Sequence, residues 1–301
     1  MMAWLQFLRI ALAPSVIWDG IAGALIAFAL YSANGGDPEL TLDLGKLGAT
    51  IGILLCVFHA GMAWNDWRDI GIDRDAGRKR PLVDGRISPT TGFLAGAILF
   101  GAALGIAAVA LPDQLLAVSG LCGLVAIYDL GGKALRMVAG PVLLALCRIL
   151  SLSLGMMVVL TPLDIVRTDA HWALLSYGMY LLFLARLASH EEEGMPGNRG
   201  VVPVAACAFA PAVLTSAAES WIPFVIGWVL FAGWMLRPTL RDRHIHWPPS
   251  RVQQAVRRCL MGMPMIPALA LLSGPAPAWW AAGGLVTLGT SRLLVRRFPP
   301  E

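Results

Sequence analysis

Ten stretches of this chain are almost wholly apolar, and the charged residues are crowded between them. The stretches fall near residues 10–32, 46–64, 91–111, 114–130, 137–160, 171–187, 200–218, 221–236, 256–273 and 277–294. Most approach the ~20 residues with which a helix crosses a ~30 Å hydrocarbon core. Lipid offers no partner to a backbone N–H or C=O, so a spanning segment pairs them internally, as a helix or in a closed barrel. A barrel needs segments of ~10 residues with alternating polarity, and the chain has none. The pattern predicts an all-α, polytopic transmembrane bundle of about nine helices, or ten if every run spans, in a single domain over residues 1–301. Runs eight to ten are rich in Pro and Gly, which makes one of them a candidate re-entrant or interfacial segment. The first run follows Arg9 in the manner of a signal peptide, but without a convincing small-residue cleavage pattern, and is read as the first span.

Composition agrees: 57% of residues are hydrophobic and only 14% charged, where a soluble domain carries about a quarter charged. The net charge of +4 raises nucleic acid as a partner, but topology accounts for it. With the N-terminus inside and each run spanning once, the inner segments hold 20 of the 23 basic residues, and only Lys46 and Arg167 fall outside. The positive-inside rule therefore orients the chain, with its longer polar loops on the cytoplasmic face of what is expected to be a bacterial inner membrane. The five cysteines form no CxxC pair and read as small buried hydrophobes. Gly92, Gly96, Gly101 and Gly105 recur along the third run and read as a helix-packing stripe. Trp4, Trp18, Trp64, Trp221 and Trp279 lie near run ends and read as interfacial anchors.

The first inner loop carries the chemistry. Asn65, Asp69 and Asp73 are spaced at i, i+4 and i+8, so they share one stripe if the second helix continues past the membrane surface, and Asp66 borders it. Oxygen ligands crowded on one stripe repel unless a cation sits among them. Hard oxygens suit Mg²⁺, whose shell is usually completed by water and substrate phosphate oxygens. The loop continues through Arg78, Arg80, Pro81, Gly85 and Arg86. Arginine grips phosphate oxygens bidentately, and Pro81 and Gly85 are turn formers able to fold the loop back over the site. A plain solvated, positive-inside loop is the alternative.

The run Asn65-Asp66-x-x-Asp69-x-x-x-Asp73, followed by Arg80-Pro81-Leu82, Gly85 and Ile87-Ser88, resembles the first signature of the UbiA family of intramembrane prenyltransferases. The residue match is concentrated in 65–88, while the hydropathy layout is similar over nearly the whole chain. The resemblance implies a helical bundle with a central cavity open sideways to lipid, and two acidic loops that bind Mg²⁺ and an isoprenyl diphosphate. The prenyl cation would be captured by a small hydrophobic acceptor, often aromatic. Asp66, Asp69, Asp73 and Lys133 are then the expected catalytic groups. Asn65, Arg78, Arg80, Tyr128, Arg148 and Ser189 are expected at the substrate, and Asn65, Asp69, Asp73 and Glu192 at the metal. Tyr128 to Lys133 is similar to a family segment running from tyrosine to lysine. Arg148 and Asp19 are charges inside apolar runs, which either pair with each other or line the acceptor site.

The loop after the sixth run departs from the family. It reads Ser189-His190-Glu191-Glu192-Glu193, glutamates where aspartates are expected, and its Ser-x-x-Glu arrangement resembles the EboC-like branch of the superfamily. A non-catalytic relative that binds or moves a lipid-linked intermediate is the alternative this departure raises. An unrelated secondary transporter would show inverted repeats and broken midplane helices. A CDP-alcohol phosphotransferase would show a D-G-x-x-A-R motif, which is absent. His244 and His246 lack an evident third ligand and read as loop residues.

Overall fold

The computed structural model describes residues 2–37, 39 and 41–297, with the side chains of residues 133, 134, 136 and 137 outside that description. The helices are α1 (Met2–Phe7), α2 (Ala13–Ala33), α3 (Leu44–Arg68), α4 (Ile70–Asp75), α5 (Pro89–Ala110), α6 (Leu115–Leu130) and α7 (Gly132–Met156). They continue with α8 (Pro162–Arg167), α9 (Ala170–Ala188), α10 (Gly197–Phe209), α11 (Trp221–Arg241), α12 (Pro249–Gly262), α13 (Met265–Ser273) and α14 (Ala282–Arg297). Each of the ten apolar runs lies on a helical segment. Among the described residues, seven segments are long and apolar enough to cross a membrane, and α12 with α13 makes an eighth across a 42° bend. Gly262 and Pro264 stand at that bend, where proline removes a helix hydrogen bond.

The bundle has two main hydrophobic clusters. One joins α2, α7 and α9 to the C-terminal helices, and the other joins α2, α3, α5, α6 and α7. Backbones approach most closely where α2 crosses α7. A Cβ on Gly23 would sit 2.3 Å from the Leu152 carbonyl oxygen, and one on Gly155 2.5 Å from that of Gly20. Small residues let helices pack at backbone distance in lipid. Gly23→Ala should therefore force α2 off α7 at a cost of about 1–3 kcal/mol, seen as a lower melting temperature in detergent. An unchanged melting temperature would mean that the crossing accommodates a methyl group.

The glycine stripe of the third run splits. Gly92 meets Leu82 and Phe7, and Gly96 meets Trp64, but Gly101 and Gly105 have nothing within 4 Å of an added Cβ. The latter two lie on the outward face of α5, so spacing alone did not tell which glycines pack. Two of the tryptophans also differ from the interfacial reading. Trp18 is buried and donates from Nε1 to the Pro264 carbonyl at 2.9 Å. Trp64 stacks on Phe93 and donates to its carbonyl at 3.1 Å. Trp4, Trp221 and Trp279 are exposed, as anchors require.

One element is not helical. Strand β1 (Met195–Pro196) pairs antiparallel with β2 (His246–Trp247), Met195 opposite Trp247. Gly194, at φ +73°, lets the chain run against the Trp247 carbonyl, where a Cβ would sit 2.6 Å away. Trp247 is fully buried over Gly197 and Gly200, and its Nε1 donates to the Asp242 carbonyl at 2.9 Å. The strap ties the loop after α9 to the loop after α11.

Candidate functional site

The stripe of the first loop forms as the spacing predicts. α3 ends at Arg68 and α4 begins at Ile70, yet helical bonds run across the junction: Asp69 N–H donates to the Asn65 carbonyl at 3.0 Å, and Asp73 N–H to that of Asp69 at 2.8 Å. Asn65, Asp69 and Asp73 thus stay on one side of a nearly continuous helix. Gly77, at φ +65°, reverses the chain after α4, and Ile87 N–H donates to the Pro81 carbonyl at 3.0 Å, closing the loop back on itself. Leu82 and Ile87 are buried against Phe7 of α1 and Ala63 of α3. The loop is folded over the end of α3, as Pro81 and Gly85 suggested.

That folding gathers five charges. Asp66 Oδ1 accepts from Arg9 Nη2 at 2.6 Å and from Arg80 Nη1 at 2.9 Å. Arg80 Nη1 also lies 2.7 Å from Asp73 Oδ2, and Arg78 Nη1 donates to Asp73 Oδ1 at 2.9 Å. The two carboxylates are almost wholly buried, while Arg9, Arg80 and Arg78 keep 22%, 14% and 45% of their side-chain exposure. Asp73 Oδ2 has no aligned hydrogen bond despite its burial. A buried acceptor in that state is costly unless a cation faces it, which the Arg80 guanidinium does here.

A further carboxylate lies at the same end of α3. Asp129, buried at the end of α6, has its Oδ2 3.0 Å from a Cβ placed on Gly61, and its carbonyl accepts from Arg68 at 3.3 Å. It lies within the Tyr128–Lys133 segment that resembles the family but carries no role of its own in the sequence analysis, although an ionisable residue closing an apolar run is signal enough. Arg9 counted only toward topology. His59 was not singled out either, and its Nδ1 donates to the Leu8 carbonyl at 2.6 Å.

The remaining expected residues lie on other elements. Tyr128 is half-buried in the last turn of α6. Lys133 falls in α7, and its side chain lies outside the described residues. Ser189 closes α9 and donates to the Arg186 carbonyl at 2.8 Å, so its hydroxyl is spent locally. Glu192 is exposed. Its neighbour Glu191 is half-buried, and that burial raises its pKa from 4.5, with Arg257 opposing and Glu192 adding to the rise. Among the described residues, no three His, Cys, Asp or Glu side chains are grouped closely enough to hold a metal ion by themselves. The donor chemistry still fits magnesium, because that ion takes one or two protein carboxylates and draws its other ligands from water and phosphate.

Arg148 and Asp19 pair. Arg148 Nη1 lies 3.1 Å from Asp19 Oδ2, and Tyr177 donates to Asp19 Oδ1 at 2.9 Å. Arg148 Nη2 reaches Ser15 Oγ at 3.2 Å and Met263 Sδ at 3.4 Å. One guanidinium therefore links α2, α7 and the α12–α13 bend, with α9 joined through Tyr177.

Comparison with known proteins bears on the whole arrangement. A model of the UbiA prenyltransferase family matches residues 21–245. Digeranylgeranylglyceryl phosphate synthase of Methanococcoides burtonii is 30% identical over 129 residues, 43% of this chain and 42% of that protein. Polyprenyl transferase dpasC of Apiospora sacchari is 32% identical over 91 residues, 30% of this chain and 26% of that protein. The chain thus spans less than half the length of these curated relatives. Among solved structures, a UbiA homologue from Aeropyrum pernix K1 superposes with a TM-score of 0.63 at 15% identity, covering 91% of this chain and 96% of that one. A UbiA homologue from Archaeoglobus fulgidus bound to GPP and Mg²⁺ gives 0.55 at 15% identity, covering 95% and 99%. At such identities the structures speak to the fold alone.

Proposed function

Because the chain belongs to the UbiA prenyltransferase family, we propose that it transfers an isoprenyl group from a prenyl diphosphate to a small hydrophobic acceptor, aromatic or lipid-like, within the membrane. The observation that carries this reading is the set of two buried aspartates and three arginines at the end of a membrane-length helix. Carboxylates at that depth are retained where they hold cations, and arginines where they hold anions. A solved homologue's binding of GPP with Mg²⁺ supports the same reading.

Bound magnesium would supply Lewis-acid stabilisation of the leaving diphosphate. Asp73 and Asp69 would be its protein ligands, with Asn65 beside them. Lys133 and Glu192 remain candidates, from the second and third inner loops. Arg78 and Arg80 would neutralise diphosphate oxygens. The C1–O bond breaks with its electron pair remaining on the diphosphate. The acceptor gives an electron pair to C1 and loses a proton. The apolar bundle keeps water from the allylic cation. Site loops on the cytoplasmic side follow from the charge bias.

The test is pyrophosphate release by purified protein offered C10 to C20 prenyl diphosphates and a membrane-lipid extract. Release should require Mg²⁺ and stop with EDTA. Retention of the prenyl diphosphate without release would instead favour a binding or transport protein, the reading that the glutamates of the loop after α9 raise.

A further inference from the structure

Away from the first loop, arginines gather where α11 and α12 meet. Between Gly197 and Arg297 the chain carries ten arginines and two carboxylates, Glu219 and Asp242. Glu219 precedes α11, at the end of that helix remote from Arg237 and Arg241, so Asp242 is the one carboxylate this stretch offers at the strap end. Arg251 takes it. Arg251 Nη2 pairs with Asp242 Oδ2 and donates to the Pro238 carbonyl at 3.1 Å, and the guanidinium lies over the Trp247 ring.

Arg258 has no such partner. Residues 251, 255, 258 and 262 share one face of α12. That face meets α11, through Arg251 at Pro238 and through Gly262, where a Cβ would sit 3.1 Å from Phe231 and 3.2 Å from Trp234. Helical side chains lean toward the N-terminus, which brings the Arg258 guanidinium toward that of Arg251. The charged groups that act on Arg258 are Arg251 and Asp242. Glu191 acts on Arg257, about 100° away around the helix. Arg258 Nη1 and Arg251 Nε are both buried and make no hydrogen bond. Buried donors of a charged group are costly in that condition, and a like charge beside them adds to the cost. An anion held between the two removes both penalties.

The groove also faces lipid. Arg237 and Arg241 follow Trp234 and Pro238 by three positions, so they border the groove at its exposed edge. Leu230, 69% exposed, continues that edge toward the middle of a membrane-length helix. An anion lodged among these arginines has hydrocarbon beneath it, which is the chemistry of a phospholipid. We propose that the strap end of the α11–α12 groove binds the phosphate of an anionic membrane phospholipid, with Arg258 and Arg251 as inner donors and Arg237 and Arg241 at the rim. Basic pockets between membrane helices at headgroup level take such lipids. The bound lipid braces α11 against α12, independently of the diphosphate chemistry at the first loop.

The experiment measures binding of dioleoyl phosphatidylglycerol to the full-length protein in neutral detergent by native mass spectrometry, with melting temperature in parallel. Dioleoyl phosphatidylcholine and inorganic phosphate are the comparison ligands. Wild-type protein should hold phosphatidylglycerol about tenfold more tightly than phosphatidylcholine and melt higher in its presence. Arg258→Gln should lose that preference. Without lipid it should melt no lower than wild type, because it sheds a cation that lacks a partner. Arg237→Gln with Arg241→Gln should weaken binding in part. Arg74→Gln, which removes an exposed arginine from α4, should leave binding unchanged. Equal weakening by Arg74→Gln would mean diffuse attraction to a positive surface and overturn the site. So would a preference kept within about twofold in Arg258→Gln. Should Arg258→Gln melt early, the rim pair decides, and unweakened binding there overturns the site as well. Inorganic phosphate displacing the lipid at matched concentration would overturn the lipid as its ligand.

Discussion

Asp73→Asn is expected to lower Mg²⁺-dependent pyrophosphate release by about 10²–10³-fold, the usual effect of losing one charged group that stabilises a transition state. The substitution keeps the shape of the side chain and its place on α4. It removes the negative charge that Arg78 and Arg80 face at 2.9 and 2.7 Å. It also withdraws the buried Oδ2, an oxygen that faces Arg80 without an aligned hydrogen bond. Two cations would then confront an amide, so some stability should go as well, because an uncompensated buried charge is costly. The measurement is single-turnover release at saturating Mg²⁺, with melting temperature recorded in parallel. A folded Asp73→Asn protein that turns over at the wild-type rate would sink the metal reading.

The second large effect is expected inside the bundle. Asp19→Leu leaves Arg148 without its counter-ion at 3.1 Å and Tyr177 without its acceptor. Breaking one member of a buried pair costs about 3–5 kcal/mol, and the bundle should unfold well below the wild-type temperature in detergent. The double variant Asp19→Leu with Arg148→Met removes both charges. It should recover most of the loss, since a buried pair replaced by apolar groups of similar volume is often near neutral. Failure of the second change to rescue the first would show that the pair is not the coupled unit its geometry implies. Turnover then separates the two uses of the pair. A rescued but inactive double variant would place Arg148 at the acceptor, and a rescued, active one would make the pair a brace.

The spans and the first acidic stripe were legible because each rests on a local rule. Twenty apolar residues make a helix in lipid wherever they occur, and Asn65, Asp69 and Asp73 share a face as soon as α3 continues into α4. What resisted reading depended on partners far along the chain. Arg9 meets Asp66 across 57 positions, and nothing in its neighbours announces a left-handed turn. Asp19 and Arg148 were visible as misplaced charges, but their pairing is set by the crossing of α2 and α7 at Gly20, Gly23 and Gly155. The same limit explains the glycines of α5: periodicity marks a stripe, and only the neighbouring helices decide which part of it is covered. Met195–Pro196 and His246–Trp247 are too short to carry any strand pattern of their own.

That two-stranded strap also sets an order of events during synthesis. Met195 has no partner until Trp247 has left the ribosome, an interval of roughly 3–10 s at ordinary elongation rates. During that time α10 and α11 must enter the membrane as a hairpin with the ends that the strap joins still untied, and the slot over Gly197 and Gly200 stands empty. Seating Trp247 in it is a late step that can occur only if both helices have inserted in the correct orientation. The strap therefore ties the last packing step to correct insertion: a chain with either helix misinserted leaves Trp247 unseated.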